Sequence, residues 1–121
     1  MYNTIAIVVT IALYLFYQKW SSRNINNITG SELKALLSNG TKGFQLIDVR
    51  TPAEFNGNHV KGFRNIPLDQ LNSRLKEIDA DKPVYVMCAS GGRSIRACKN
   101  LSRAGFKEIT NLRGGIASYP R

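Results

Sequence analysis

Apolar residues form one unbroken block at the start of the chain and then thin into short runs. From Ile5 to Tyr17 the sequence reads IAIVVTIALYLFY without a charge, and the uncharged stretch extends from Tyr2 to Gln18. Those roughly 17 residues would make a helix of about 26 Å, at the short end of what crosses a hydrocarbon core of about 30 Å. Tyr14, Tyr17 and Trp20 fall where interfacial aromatics are expected. Lys19 and Arg23 follow the stretch and no basic residue precedes it, so the positive-inside bias puts the N-terminus outside. Residues 1–24 are therefore expected to be an N-terminal transmembrane helix with its linker, contacting the membrane through residues 2–20. Residues 25–121 are expected to be a separate cytoplasmic domain of a single-pass membrane protein. A signal peptide fits less well because the basic n-region is missing. A core helix or an interfacial helix would need a polar or charged face, and only Thr10 interrupts the run.

Beyond the polar, Asn-rich Arg23 to Asn27, read as linker, the pattern alternates between helical and strand-like runs. Thr29-Gly30-Ser31-Glu32 is a capping box, and Leu33, Leu36 and Leu37 recur at helical spacing behind it, which predicts a short helix ending near Asn39-Gly40. Phe44 to Val49 is short and largely apolar, as a buried strand is, and Arg50-Thr51-Pro52 breaks it. Leu68, Leu71, Leu75 and Ile78, spaced three, four and three apart, predict a second amphipathic helix. Val84 to Met87 reads as another buried strand. Ser94 to Ala104 reads as a helix with Ile95, Cys98 and Leu101 on its apolar face and Gly105 as its stop, and Ile109 to Leu112 as the last strand. Short apolar strands alternating with helices predict an α/β domain with a mainly parallel sheet covered on both faces. In such sheets, sites form outside the carboxyl ends of the strands.

Composition narrows the class without naming it. The 121 residues allow one compact domain besides the apolar head, and 43% hydrophobic with 21% charged residues excludes a disordered chain. Lys plus Arg number 17 against 8 Asp plus Glu, a formal net charge of +9, which favours anionic partners. Lys19 and Arg23 are the basic residues of the first 24, so the domain keeps most of the excess. Arg96, Lys99 and Arg103 make one basic helix face, an ordinary solvated face or one suited to anionic lipid headgroups or to steering anionic donors, whereas no recognition helix or stacking aromatics point to nucleic acid. Two cysteines, Cys88 and Cys98, and one histidine, His59, are too few for a disulfide scaffold or a metal cluster.

The chemistry concentrates in Cys88-Ala89-Ser90-Gly91-Gly92-Arg93-Ser94, between a strand and a helix. Adjacent glycines let the backbone curl so that N–H groups converge on one point, and the following helix adds its partial positive charge there. A thiol at the base of that cradle is stabilised as thiolate by those N–H groups, by the dipole and by Arg93. Cys88 is thus expected to be a nucleophile that needs no general base, with Ala89, Ser90, Gly91, Gly92, Arg93 and Ser94 binding the substrate. Cys98, on the apolar face of the helix, is expected to be core, with a resolving thiol as the alternative.

The loop resembles the C-x-x-G-x-R-S active loop of single-domain members of the rhodanese family through Cys88, Gly91, Arg93 and Ser94. Leu46-Ile47-Asp48-Val49-Arg50 with Glu54-Phe55 is similar to that family's opening signature. Gly57 to Pro67 resembles its G-H-I-x-G-A-x-N-I-P segment, and Leu112-Arg113-Gly114-Gly115-Ile116 its L-x-G-G run. The likeness covers essentially residues 28 to 119, with Asn58 inserted before His59, Phe63 in place of a small residue and Tyr119 where tryptophan is common. It implies a three-layer rhodanese-like α/β domain and an enzyme of the thiosulfate sulfurtransferase type, working without a cofactor. Cys88 would carry a sulfane sulfur as a persulfide from an anionic donor, thiosulfate or a persulfide, to a thiol or cyanide acceptor. Asp48 and Arg50 would be supporting residues, Asp48 accepting hydrogen bonds from neighbouring loops and Arg50 pairing with Glu54. His59 would bond backbone in its turn.

Two other readings share these residues. A membrane-tethered sulfide carrier or binding module would use the same loop without turning over free thiosulfate. Cysteine phosphatases and arsenate reductases resemble the cradle but place five residues between Cys and Arg, where four separate Cys88 from Arg93.

Overall fold

The computed structural model describes residues 2–21 and 25–121, with the side chains of the first helix from Asn3 to Tyr17. Helix α1, Tyr2–Ser21, carries the apolar block. Its large apolar side chains stand in solvent, from Val9 at 51% exposed to Phe16 at 67%. The expected transmembrane span is nevertheless unsupported, because among the described residues no helix is long and apolar enough to cross a membrane. The physical reason is length: the uncharged core from Ile5 to Tyr17, interrupted only by Thr10, is bounded by Asn3-Thr4 and Gln18-Lys19, so it covers only about 20 Å at the helical rise. Arg23 and Asn24, two of the five residues of the expected linker, lie outside the described residues, as do the side chain of Lys19, on which with Arg23 the orientation rested, and that of Trp20, an expected interfacial aromatic.

The rest is an α/β domain. Strand β1 (Ile25–Ile28) leads into α2 (Gly30–Leu37), followed by β2 (Gln45–Asp48), α3 (Pro52–Gly57), β3 (Arg64–Asn65) and α4 (Leu68–Leu71). A 3-10 turn over Leu75–Glu77 precedes β4 (Val84–Met87), α5 (Gly92–Arg103) and β5 (Ile109–Leu112), and a second 3-10 turn covers Ile116–Ser118. The five strands lie in the order β1-β5-β4-β2-β3, every neighbouring pair parallel. Parallel strands need crossovers, and the helices that supply them cover both faces. One core joins Ile47, Val84, Val86, Ala97, Cys98, Leu101 and Ile109 beneath α4 and α5, and the other joins Leu33, Leu46, Phe63, Met87 and Leu112 beneath α2 and α3. Alternation along β4 explains the division, since Val84 and Val86 point to one face and Tyr85 and Met87 to the other.

Four sequence expectations change in detail. The residues read as linker, Ile25 to Asn27, begin an edge strand that pairs Ile25 with Ile109 and Ile28 with Leu112. The amphipathic helix expected over Leu68 to Ile78 is one turn of α4 and a separate 3-10 turn, and Leu71 and Ile78 still reach the core. Ile95 faces outward, 45% exposed, while Ser94, Ala97, Cys98 and Leu101 face inward. A short helix, α3, fills the stretch after β2. Its Thr51 Oγ1 accepts the Glu54 N–H at 3.2 Å and Glu54 Oε1 accepts the Thr51 N–H at 3.1 Å, a capping box with Pro52 in the first turn.

Candidate active site

The loop Cys88 to Gly91 leaves the carboxyl end of β4, the central strand, and feeds directly into α5. Gly91, at φ +113°, is the residue before the helix, a left-handed conformation that a side chain would strain. That turn brings its N–H to 2.9 Å from Cys88 Sγ. Ser94 Oγ, one turn into α5, accepts from Cys88 Sγ at 3.4 Å and shares its own proton between Gly91 O at 3.0 Å and Asn111 Oδ1 at 2.5 Å. Asn111 in turn donates from Nδ2 to Asn27 Oδ1 at 3.2 Å, tying the edge strand β1 to the loop.

The carbonyls of the loop are held outward. Ile116 N–H donates to Cys88 O at 2.8 Å and Ala117 N–H to Ala89 O at 3.2 Å. In a trans peptide the N–H points opposite its C=O, so pinning the Ala89 carbonyl outward turns the Ser90 N–H inward. This close approach requires glycine at position 115, where φ is +63° and a Cβ would collide with the Cys88 oxygen and the Ala89 carbonyl.

Burial pushes the Cys88 thiol up, but the Ser94 hydroxyl and the backbone N–H groups of Ser94, Gly91 and Ser90 outweigh it and hold the pKa below the usual thiol value. Cys98, buried in the core without such donors, is pushed up to about 12, the behaviour of an inert core thiol. His59 takes no part: its Nδ1 lies 2.9 Å from Phe55 O, and the ring stacks on Phe55 with centroids 4.0 Å apart.

The charged neighbours pair differently from the sequence expectation. Asp48 is fully buried and accepts not from neighbouring loops but from Arg50, with Nε at 3.0 and 3.1 Å, Nη2 at 2.8 Å and the Arg50 N–H at 3.0 Å. Arg50 completes its donors on backbone carbonyls, Asn58 O at 2.7 Å and Glu54 O at 3.4 Å, and leaves the Glu54 carboxylate to another partner. That partner is Arg93, whose Nη1 and Nη2 reach Glu54 Oε1 and Oε2 at 2.7 and 3.0 Å. Sequence reasoning did not single out Glu54 for the site. The signal was available in Thr51-Pro52-Ala53-Glu54, a second capping box that fixes Glu54 in the first turn of α3.

Two clefts lie near the loop without Cys88 in their walls. One of about 490 Å³ is lined by Arg93, Arg96, Asn100, Pro67 and Leu68, and an open one of about 1100 Å³ by Lys34, His59, Lys61, Ala117 and Tyr119. The first shares Arg93 with the loop, and the second includes Ala117, whose N–H donates to Ala89 O.

This is a thiol whose pKa is lowered by the Ser94 hydroxyl and by backbone amides at the carboxyl edge of a parallel sheet. The family model described as "Rhodanese-like domain" matches residues 29–120. The chain belongs to that family. The rhodanese-like domain is 35% identical over 97 residues, 80% of this chain and 90% of the relative, to a protein of Allochromatium vinosum named "Sulfurtransferase". It is 44% identical over 113 residues to "Uncharacterized protein YqhL" of Bacillus subtilis, 93% of this chain and 83% of that one. That likeness runs past the rhodanese-like region into the N-terminal helix. Among solved structures, a rhodanese-like domain protein from Staphylococcus aureus superposes with a TM-score of 0.72 at 28% identity, covering 78% of this chain and 91% of that chain.

Proposed function

We propose that this rhodanese-like domain is a sulfurtransferase that carries sulfane sulfur on Cys88. The family and its sulfurtransferase relative support a sulfurtransferase or sulfur-carrier role, and the observation that carries the finer reading is the Gly91 N–H at 2.9 Å from Cys88 Sγ. In the first half-reaction the Cys88 thiolate attacks the outer sulfur of thiosulfate. The new Sγ–S bond forms as the S–S bond to the sulfonate breaks, and sulfite leaves with the electron pair. A persulfide donor RSS⁻ reacts the same way and releases RS⁻. In the second half-reaction a thiolate or cyanide takes the outer sulfur, and Sγ leaves as the thiolate it was. No proton moves to or from the protein in either half, which suits a site whose only histidine is occupied elsewhere. The inward N–H groups of Ser90 and Gly91 stabilise whichever sulfur carries the charge.

Mass spectrometry after incubation with thiosulfate tests the reading: the Cys88 peptide should gain one sulfur atom, removable by cyanide. An unmodified Cys88 peptide with both thiosulfate and a persulfide donor would sink it. Steady-state release of thiocyanate then separates an enzyme from a carrier, which would load once and stop. Cysteine phosphatase chemistry is disfavoured because only four residues separate Cys88 from Arg93, and Arg93 is engaged with Glu54.

We also infer that α1 attaches the domain to a membrane through residues 2–20, on its cytoplasmic side. Its exposed apolar side chains support contact with lipid. Cell fractionation should find the full-length chain with membranes after a high-salt wash; full-length chain in the soluble fraction would overturn the inference.

A further inference from the structure

Two arginines flank the active loop, and carboxylates hold both. Arg50 closes on Asp48 in the interior. Arg93 is different, because its side chain and that of Glu54 are 37% and 35% exposed, within reach of a small ion at the mouth of the loop. Its pKa is raised, chiefly by Glu54, with smaller contributions from the charges of Cys88 and Asp48. Yet both terminal nitrogens are occupied by Glu54, at 2.7 and 3.0 Å.

Glu54 is held from its other side by its own helix. The Thr51 N–H and the Thr51 hydroxyl each donate to Oε1 at 3.1 Å. With Arg93 as the largest cause and Thr51 behind it, its carboxyl is held at about 2, so it stays ionised throughout the range in which sulfur transfer is assayed. An incoming anion therefore competes for Arg93 with a carboxylate already fixed in place, which loses no freedom in binding. Glu54 also repels a dianion twice as strongly as a monoanion at the same distance.

We propose that Glu54 sets the charge preference of the donor site: by occupying Arg93 it disfavours dianionic thiosulfate and leaves the backbone cradle to monoanionic persulfides. The proposal rests on the sulfurtransferase reading and adds the class of donor. Glu54 acts here as a specificity-determining residue.

Glu54→Gln separates its two roles, since glutamine keeps the oxygen that caps α3 and removes the charge. The KM for thiosulfate should fall about tenfold in this variant, the worth of one freed charge-assisted donor. The KM for the persulfide of 2-mercaptoethanol, whose sole charge is the persulfide, should change by less than about twofold. Glu54→Ala should shift the ratio of the two KM values in the same direction. Thr51→Ala, which weakens the cap and spares the ion pair, should leave that ratio at its wild-type value. An unchanged ratio in Glu54→Gln, or the same shift in Thr51→Ala, would overturn the proposal. Sulfate protection of Cys88 against iodoacetamide provides a readout that needs no sulfur transfer: half-protection should come at about a tenfold lower concentration in Glu54→Gln. Equal protection in the two proteins would also overturn the proposal. If neither donor loads sulfur on either protein while protection still differs, the sulfurtransferase reading falls and the masking of Arg93 by Glu54 stands.

Discussion

Cys88→Ser should abolish sulfur loading and thiocyanate formation entirely while leaving the melting midpoint within a few degrees of wild type. The substitution exchanges one atom just past the end of β4, where a serine hydroxyl can accept from the Gly91 N–H and donate to Ser94 Oγ as the thiol does. A hydroxyl in that cradle cannot take its place chemically. Its proton is far harder to remove than that of a thiol, and no base stands by, because His59 is turned to the Phe55 carbonyl. Cys98→Ser should behave in the opposite way, retaining loading on Cys88 while losing some stability through a hydroxyl placed in the core. Thiocyanate release by Cys88→Ser at a rate near wild type would show that the assigned nucleophile is wrong.

Asp48→Ala is expected to be the most damaging change for stability. It removes four hydrogen bonds to Arg50 and strands a guanidinium that is 5% exposed. Removing one partner of a buried pair typically costs about 3–5 kcal/mol, a large part of the roughly 5–15 kcal/mol that holds a domain together. For a domain of this size the melting midpoint should fall by on the order of 20 °C. The double variant Asp48→Ala/Arg50→Ala should lose less than the two single changes added together, since no buried charge is then left alone. A single variant that melts within a few degrees of wild type would show that Arg50 finds other partners. Asn65 marks how the damage would spread, because its Nδ2 donates to both Asp48 O and Arg50 O, at 3.0 and 2.8 Å, and so ties this strand end to β3.

The parts of this architecture that could be read in the sequence are those in which a periodic pattern and a burial pattern coincide. Strand β4, covered on both faces, shows as a plain apolar run, while β2 and β5 show through Leu46-Ile47 and through Ile109 and Leu112 beside buried Asp48 and Asn111. Helix α2 announces itself by Thr29 and Glu32, and both halves of that capping box form. The active loop was legible because two glycines, a cysteine and an arginine at fixed spacing make sense in few other ways. Strand β1 was not, since an edge strand of sequence Ile-Asn-Asn-Ile is recruited by backbone pairing with β5 and shows little of its own. The three-four-three spacing from Leu68 to Ile78 is satisfied by two short turns that point the same residues inward, so periodicity alone overstated the helix. The Glu54–Arg93 pair joins residues 39 apart in sequence, and no local pattern signals which carboxylate will meet which arginine. The apolar head was read as a span from its composition, and the polar residues at both of its ends set the limit.

The two amides donated by Ile116 and Ala117 reach the active loop from beyond the last strand. During synthesis, Cys88 emerges from the ribosome well before those residues do, and until they dock nothing fixes the Cys88 and Ala89 carbonyls outward. If the thiol is the nucleophile proposed above, its reactivity is expected to depend on that docking and to be lower in the nascent chain. A half-made domain is in this way spared a reactive sulfur that oxidants or stray donors would modify first.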